Sequence, residues 1–198
     1  MDELETCSDV REFFDDHVSR AMQVLGVQAA DDTKHYLIEL LSDFSVSDRI
    51  QALERPLVEQ LQAAQEAAGQ ERLSRLRDLG DVALFVAGFF PDSFERRGLT
   101  RSYVVAMGGR AYLVVGEAAH ARGLGGRGRV FVELSARFPQ LARVLDEVRE
   151  GTSLCTEGEI VALYERWRRT GSPELARRLH RRGVAPHPGG DPGSGTLH

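Results

Sequence analysis

Glu117 and His120 stand three positions apart. On a helix that spacing lets a carboxylate and an imidazole share one metal ion. A carboxylate-bridged two-metal bundle needs two such pairs and two more acids on neighbouring helices. The chain supplies one pair, and neither Glu39 nor Asp81 completes the set. No metal is therefore expected, with Glu117 and His120 the only candidates. His17 and His120 both fall on apolar stripes, and glycines beside a buried imidazole could admit a flat cofactor such as haem. No CxxCH attachment motif accompanies them, and close helix crossing accounts for the glycines. No cofactor is expected. A histidine on an apolar stripe ordinarily bonds a local acceptor.

A second constellation surrounds the break Phe-Phe-Pro-Asp-Ser at 89–93. It comprises Asp81, Asp92, Ser93, Arg96, Arg97, Tyr103 and Arg110. Two arginines beside two helix starts can hold a carboxylate or a phosphate. The same side chains can form structural Asp–Arg pairs that fix the break, and that is the preferred reading. If a small-molecule site exists, Asp81, Asp92, Arg96, Arg97, Tyr103 and Arg110 are its ligand-binding candidates, with His120 nearby.

The third constellation is basic. Residues 165–183 hold seven arginines against two glutamates, whereas residues 1–16 hold seven acids against one arginine. Arg177, Arg178, Arg181 and Arg182 crowd one short segment and are the partner-binding candidates. Charge runs usually face solvent. With only Leu175 and Leu179 as apolar anchors, membrane insertion there would be weak. No nucleophile elbow or triad signature frames any Ser, His or Asp, so the chain is read as leaning away from catalysis.

The totals narrow the classes. A net charge of −5 over 198 residues argues against a general nucleic-acid binder, which is usually basic. Of 25 basic residues, Lys34 is the only lysine, a bias spread along the whole chain. Cys7 and Cys155 make neither a disulfide framework nor a zinc site. The acidic start MDELET is unlike a signal peptide. The strongest apolar run, 82–90, is too short to span a bilayer. A cytoplasmic protein without a transmembrane segment is the expectation.

Helical spacing dominates the elements that must position these groups. Ser8 caps a first helix carrying Val10, Phe13, Phe14, Val18, Ala21 and Leu25, with Gly26 as its stop. Asp31 or Asp32 caps a second, whose buried face is Tyr36, Leu37, Leu40, Leu41 and Phe44; His35 points outward. Pro56 opens a third. The fourth, from about 71 to 90, and the fifth, from about 101 to 122, are predicted to cross closely through small residues. These include Gly80 on one side and Gly108, Gly109 and Gly116 on the other. Thr100 caps the fifth helix. The run GLGGRG at 123–128 reads as a connector rather than a phosphate loop, because it lacks the Gly-Lys-Ser/Thr ending. Further helices carry Leu134 and Phe138, then Leu141 to Val148, then Tyr164 and Trp167. Gly171 and Ser172-Pro173-Glu174 separate the last pair.

The pattern is all-α: a single-domain bundle of about eight or nine helices over 1–182. A disordered Pro/Gly-rich tail follows over 183–198. The segment LGDVALFVAGFFPDSFERR, continued by Tyr103 and Met107-Gly108, resembles a pattern of uncharacterised bacterial all-helical proteins. That resemblance covers about residues 73–115. It implies a helical fold and brings no activity, cofactor or site residue. The expected function is a non-catalytic helical module that binds or regulates a protein partner. The alternative is a small-molecule- or metal-binding protein, or an enzyme, with its site near 90–103 and His120.

Overall fold

The computed structural model describes residues 2–46, 53, 55–90, 100–152, 164–165, 167–181 and 184, without the side chains of 2–9, 46, 174, 178, 180 and 181. Among the described residues the chain is helical, with no strand. Its elements are α1 (Asp2–Leu25), α2 (Asp31–Val46), α3 (Leu57–Glu66), α4 (Gly69–Phe89), α5 (Arg101–Ala121), α6 (Gly125–Ala136), α7 (Phe138–Gly151) and α8 (Pro173–Arg181). They divide into two compact units, Met1–Thr152 and Ser153–His198. Of the tail expected over 183–198, only Val184 lies within the described residues; its N–H donates to the Leu179 carbonyl at 3.0 Å.

In the first unit α4 is central. It packs against α3, α5 and α7, and more lightly against α2. Eleven of its residues are buried, from Leu76 to Phe89. Apolar side chains on every face are what a helix needs to be enclosed. One end of the core is an aromatic stack: Phe44 of α2 lies 4.2 Å from Phe85, which lies 4.7 Å from Phe89, all nearly parallel. In the second unit Trp167 and Leu179 are buried, with Tyr164, Leu175, Ala176 and Val184 against them. Both apolar anchors of α8 are thus used inside its own unit.

Several local signals hold. Gly26 and Gly171 follow their helices at φ +62°, where a side chain is strained. Thr100 Oγ1 accepts from the Tyr103 N–H at 3.3 Å, as an N-cap should. Other expectations are displaced. Helix α1 begins at Asp2 rather than Ser8. Phe13 is 44% exposed and not in the core. The start of α2 is held from a distance: Glu133 of α6 accepts from the Ala30 N–H at 3.2 Å and from Thr33 Oγ1 at 2.7 Å. Arg137, paired with Glu133 at 3.2 Å, donates to the Gln28 carbonyl at 2.7 Å. Asp31 and Asp32 contribute their charge to the first turn.

The glycines show why α5 lies where it does. Helices α4 and α5 are antiparallel, since Ala83 faces Gly108 while Gly80 faces Tyr112. The rest of the α5 glycine stripe does not face α4 as expected. A Cβ on Gly116 would fall 3.0 Å from the Gly128 carbonyl oxygen and 2.9 Å from Val132 Cγ2. Gly128 therefore belongs to a helix, and the run at 123–128 is a connector only as far as Leu124. So short a link forces α5 and α6 to be neighbours, and two facing glycines let their backbones touch.

Substitution separates the two classes of glycine. Gly116→Ala is expected to lower unfolding free energy by about 1–3 kcal/mol, the usual cost of overpacking a core. Gly109→Ala meets only ordinary contacts, the nearest at 3.6 Å, and should be neutral or gain up to about 1 kcal/mol from helix propensity. Urea denaturation of both variants checks this contrast.

Candidate functional site

Asp81 is the starting point. It lies mid-way along α4 and is 2% exposed. A carboxylate buried without partners costs several kcal/mol, so its surroundings are informative. Tyr36 of α2 and Tyr112 of α5 both donate their phenol O–H to Asp81 Oδ1, at 2.5 and 2.8 Å. Arg77, one turn earlier on α4, places its Nε 3.7 Å from Oδ2. Gly80 makes this possible: a Cβ there would sit 2.6 Å from the Tyr112 ring. The missing side chain lets Tyr112 lie flat against α4 and reach the next residue. Phe131 of α6 closes the cluster, with ring centroids 5.4 Å from Tyr36 and 5.9 Å from Tyr112.

Tyr112 is fully buried. Burial, and then the Asp81 carboxylate, push its phenol well above the ordinary value of 10.0. At neutral pH it is therefore a neutral donor.

Tyr36 and Arg77 also line an open groove of about 460 Å³ between α2, α4, α5 and α6. That is within the range of small-molecule sites. Helix α2 contributes Asp32, His35, Tyr36 and Glu39, the i, i+3, i+4, i+7 face of one helix. Helix α4 contributes Gln70, Leu73, Ser74 and Arg77 at the same spacing. The far walls are Val115, Ala119 and Arg122 of α5 and its cap, and Arg127, Val130 and Phe131 of α6, with Leu124 between them. Glu39 is engaged by Arg11 of α1 at 3.1 Å and by His35 at 3.7 Å. Arg122 is hydrogen-bonded to the Gln70 side-chain oxygen.

The residues singled out in the sequence are placed differently. Asp92, Arg96 and Arg97 lie outside the described residues. Tyr103 sits in the first turn of α5 and is 44% exposed, nine residues and roughly 13 Å of helix from Tyr112. Arg110 is exposed. Among the described residues, Tyr36, Tyr112 and Arg77 are polar partners of Asp81. His120 is exposed, with Nδ1 2.8 Å from where a Gly128 Cβ would be. It packs over a glycine instead of standing in a pocket, and Glu117 is exposed. Among the described residues no group of three or more His, Cys, Asp or Glu could hold a metal. The His17 Nδ1–H donates to the Phe13 carbonyl at 2.7 Å, a local bond that accounts for it. Arg177 is exposed and donates to the Pro173 carbonyl at 3.3 Å; the side chains of Arg178, Arg181 and Arg182 lie outside the described residues. No described helix is long and apolar enough to cross a membrane.

Arg77, Arg122 and Tyr36 line the groove although spacing alone does not mark them as site candidates. One signal was available: Arg77 and Asp81 are an i, i+4 pair on a largely apolar helix. No family model, curated protein or solved structure matches the chain, so the site rests on its own geometry.

Tyr112→Phe removes one of two phenol donors from a buried carboxylate and should cost about 1–3 kcal/mol. It should also change the alkaline limb of stability. With a folded pKa above the unfolded one, the Tyr112 contribution is complete below pH 10 and falls as pH rises beyond it. The variant should lose stability less steeply above pH 10 than the wild type, as measured by urea denaturation across that range.

Proposed function

We propose that the chain is a non-catalytic helical binding module and that the groove between α2, α4, α5 and α6 receives a small molecule. The observation that carries this reading is the placement of Arg77 and Tyr36. Both line the groove; Tyr36 is held from behind by its hydrogen bond to the buried Asp81 carboxylate, and Arg77 is paired with the same carboxylate at 3.7 Å. A side chain held in this way meets a ligand with little further loss of conformational freedom.

A binding role fits better than catalysis because the buried acid behind Tyr36 and Arg77 is already committed, and Glu39 on the groove wall is paired with Arg11. Asp81 accepts two phenol hydrogens and faces a guanidinium. The His35–Glu39 pair lies on the rim, with His35 73% exposed. Docking of a protein partner through Arg177, Arg178, Arg181 and Arg182 has less behind it. The described member of that set is tied to its own helix, and Leu179 is buried within the same unit.

The neutral apolar fluorophore N-phenyl-1-naphthylamine tests the groove. Its fluorescence should rise saturably at one dye per chain. Ala119→Trp, which puts an indole into the wall, should abolish that rise while the melting transition is retained. Absence of saturable binding, or binding that the tryptophan leaves unchanged, contradicts the reading.

A further inference from the structure

We propose that the groove selects an amphipathic acid: a carboxylate or phosphate monoester carried on an apolar body. This rests on the groove being the binding site, and it follows from how the lining charges are already spent.

Three arginines from three helices meet two carboxylates around the groove. Glu39 is neutralised from outside by Arg11 at 3.1 Å. Arg77 is half-committed to Asp81 at 3.7 Å. Arg122 bonds a neutral amide oxygen, which holds the guanidinium without cancelling its charge. Arg127 is exposed and has no carboxylate partner among the described residues. Asp32, exposed at the start of α2, is the second lining carboxylate; set with Glu39 and Asp81 against Arg11, Arg77, Arg122 and Arg127, it leaves one positive charge in excess, and the lining arginines without a carboxylate partner among the described residues are Arg122 and Arg127, on the wall formed by the end of α5 and the first turn of α6. This occurs in a chain whose net charge is −5. An anion gains nothing from the molecule as a whole, so any attraction must come from these side chains. Guanidinium–carboxylate and guanidinium–phosphate bonds are charge-assisted and can be bidentate.

The floor supplies the second half of the recognition. Leu73, Val115, Val130 and the rings of Tyr36 and Phe131 form an apolar surface beside the arginines. The volume suits a small molecule of modest size better than a metabolite anion alone. A free inorganic anion would leave that surface wet, and a neutral apolar compound would leave the arginines unused. A cation would face Arg122 and Arg127 directly.

Displacement of N-phenyl-1-naphthylamine by four competitors tests this: decanoate, 2-naphthoate, decanol and decyltrimethylammonium. The two acids should compete at concentrations at least roughly tenfold lower than decanol, a difference of about 1.4 kcal/mol. Decyltrimethylammonium should be weakest. In the Arg122→Gln/Arg127→Gln double variant, which alters only exposed side chains, the acids should lose that advantage while decanol is unchanged. Whether decanoate or 2-naphthoate competes better identifies a chain-like or ring-like body. If dye binds but decanol and the ammonium compete as well as the acids, the groove stands as a binding site and the acid head is wrong. The same holds if the double variant leaves acid binding intact. If the dye itself does not bind, the reading of the groove falls with it.

Discussion

A carboxylate inside a helical core must be satisfied by the elements around it, and Asp81 imposes that condition on three helices at once. Its hydrogen bonds reach Tyr36 on α2 and Tyr112 on α5, and its own helix supplies Arg77. Each partner has a second duty. Tyr112 fills the space that Gly80 leaves empty. Tyr36 forms part of the groove wall, and Arg77 projects into the same groove. Remove the carboxylate and two phenols lose their acceptor, while the arginine loses the charge that orients it. Polar networks of this kind fix a unique arrangement when every member is satisfied.

The glycines set the distances over which that network operates. Gly80 brings Tyr112 against α4, and Gly116 with Gly128 brings α6 against α5. Helix α6 then carries Phe131 to the aromatic cluster and Glu133 to the start of α2. Helix α2 is thus held at two points by side chains distant in sequence, Asp81 and Glu133. The groove is the space left between helices whose separations are set by glycine at one level and by Tyr36 at another.

Much of the fold was readable from spacing, because a helix repeats its buried face every three to four residues. The core positions of α2, the enclosure of α4, the Thr100 cap and the stops at Gly26 and Gly171 all follow from local rules. What spacing could not supply was the pairing of faces. The glycine stripe of α5 says that something approaches closely, not whether it is α4 or α6. The short link ending at Leu124 decides that, and a four-glycine run concealed it by looking like a loop. The site was less legible for the same reason. Asp81 was grouped with the polar residues around the break at 89–93, but Tyr36 and Tyr112 reach it from α2 and α5, and Tyr36 read simply as core. Arg77 and Arg122 look like any surface arginines in a chain whose basic residues are nearly all arginine. They gain meaning only when the helices turn them into one groove.

The central claim is that one carboxylate couples α2 and α5 through α4, and a double-mutant cycle measures that coupling directly. Asp81→Asn would be combined in turn with Tyr36→Phe and with Tyr112→Phe, and unfolding free energies taken for each set. The account predicts coupling of about 1 kcal/mol or more for both pairs, within the range for residues in one hydrogen-bond network. Additive losses for either tyrosine, within about 0.5 kcal/mol, would contradict it.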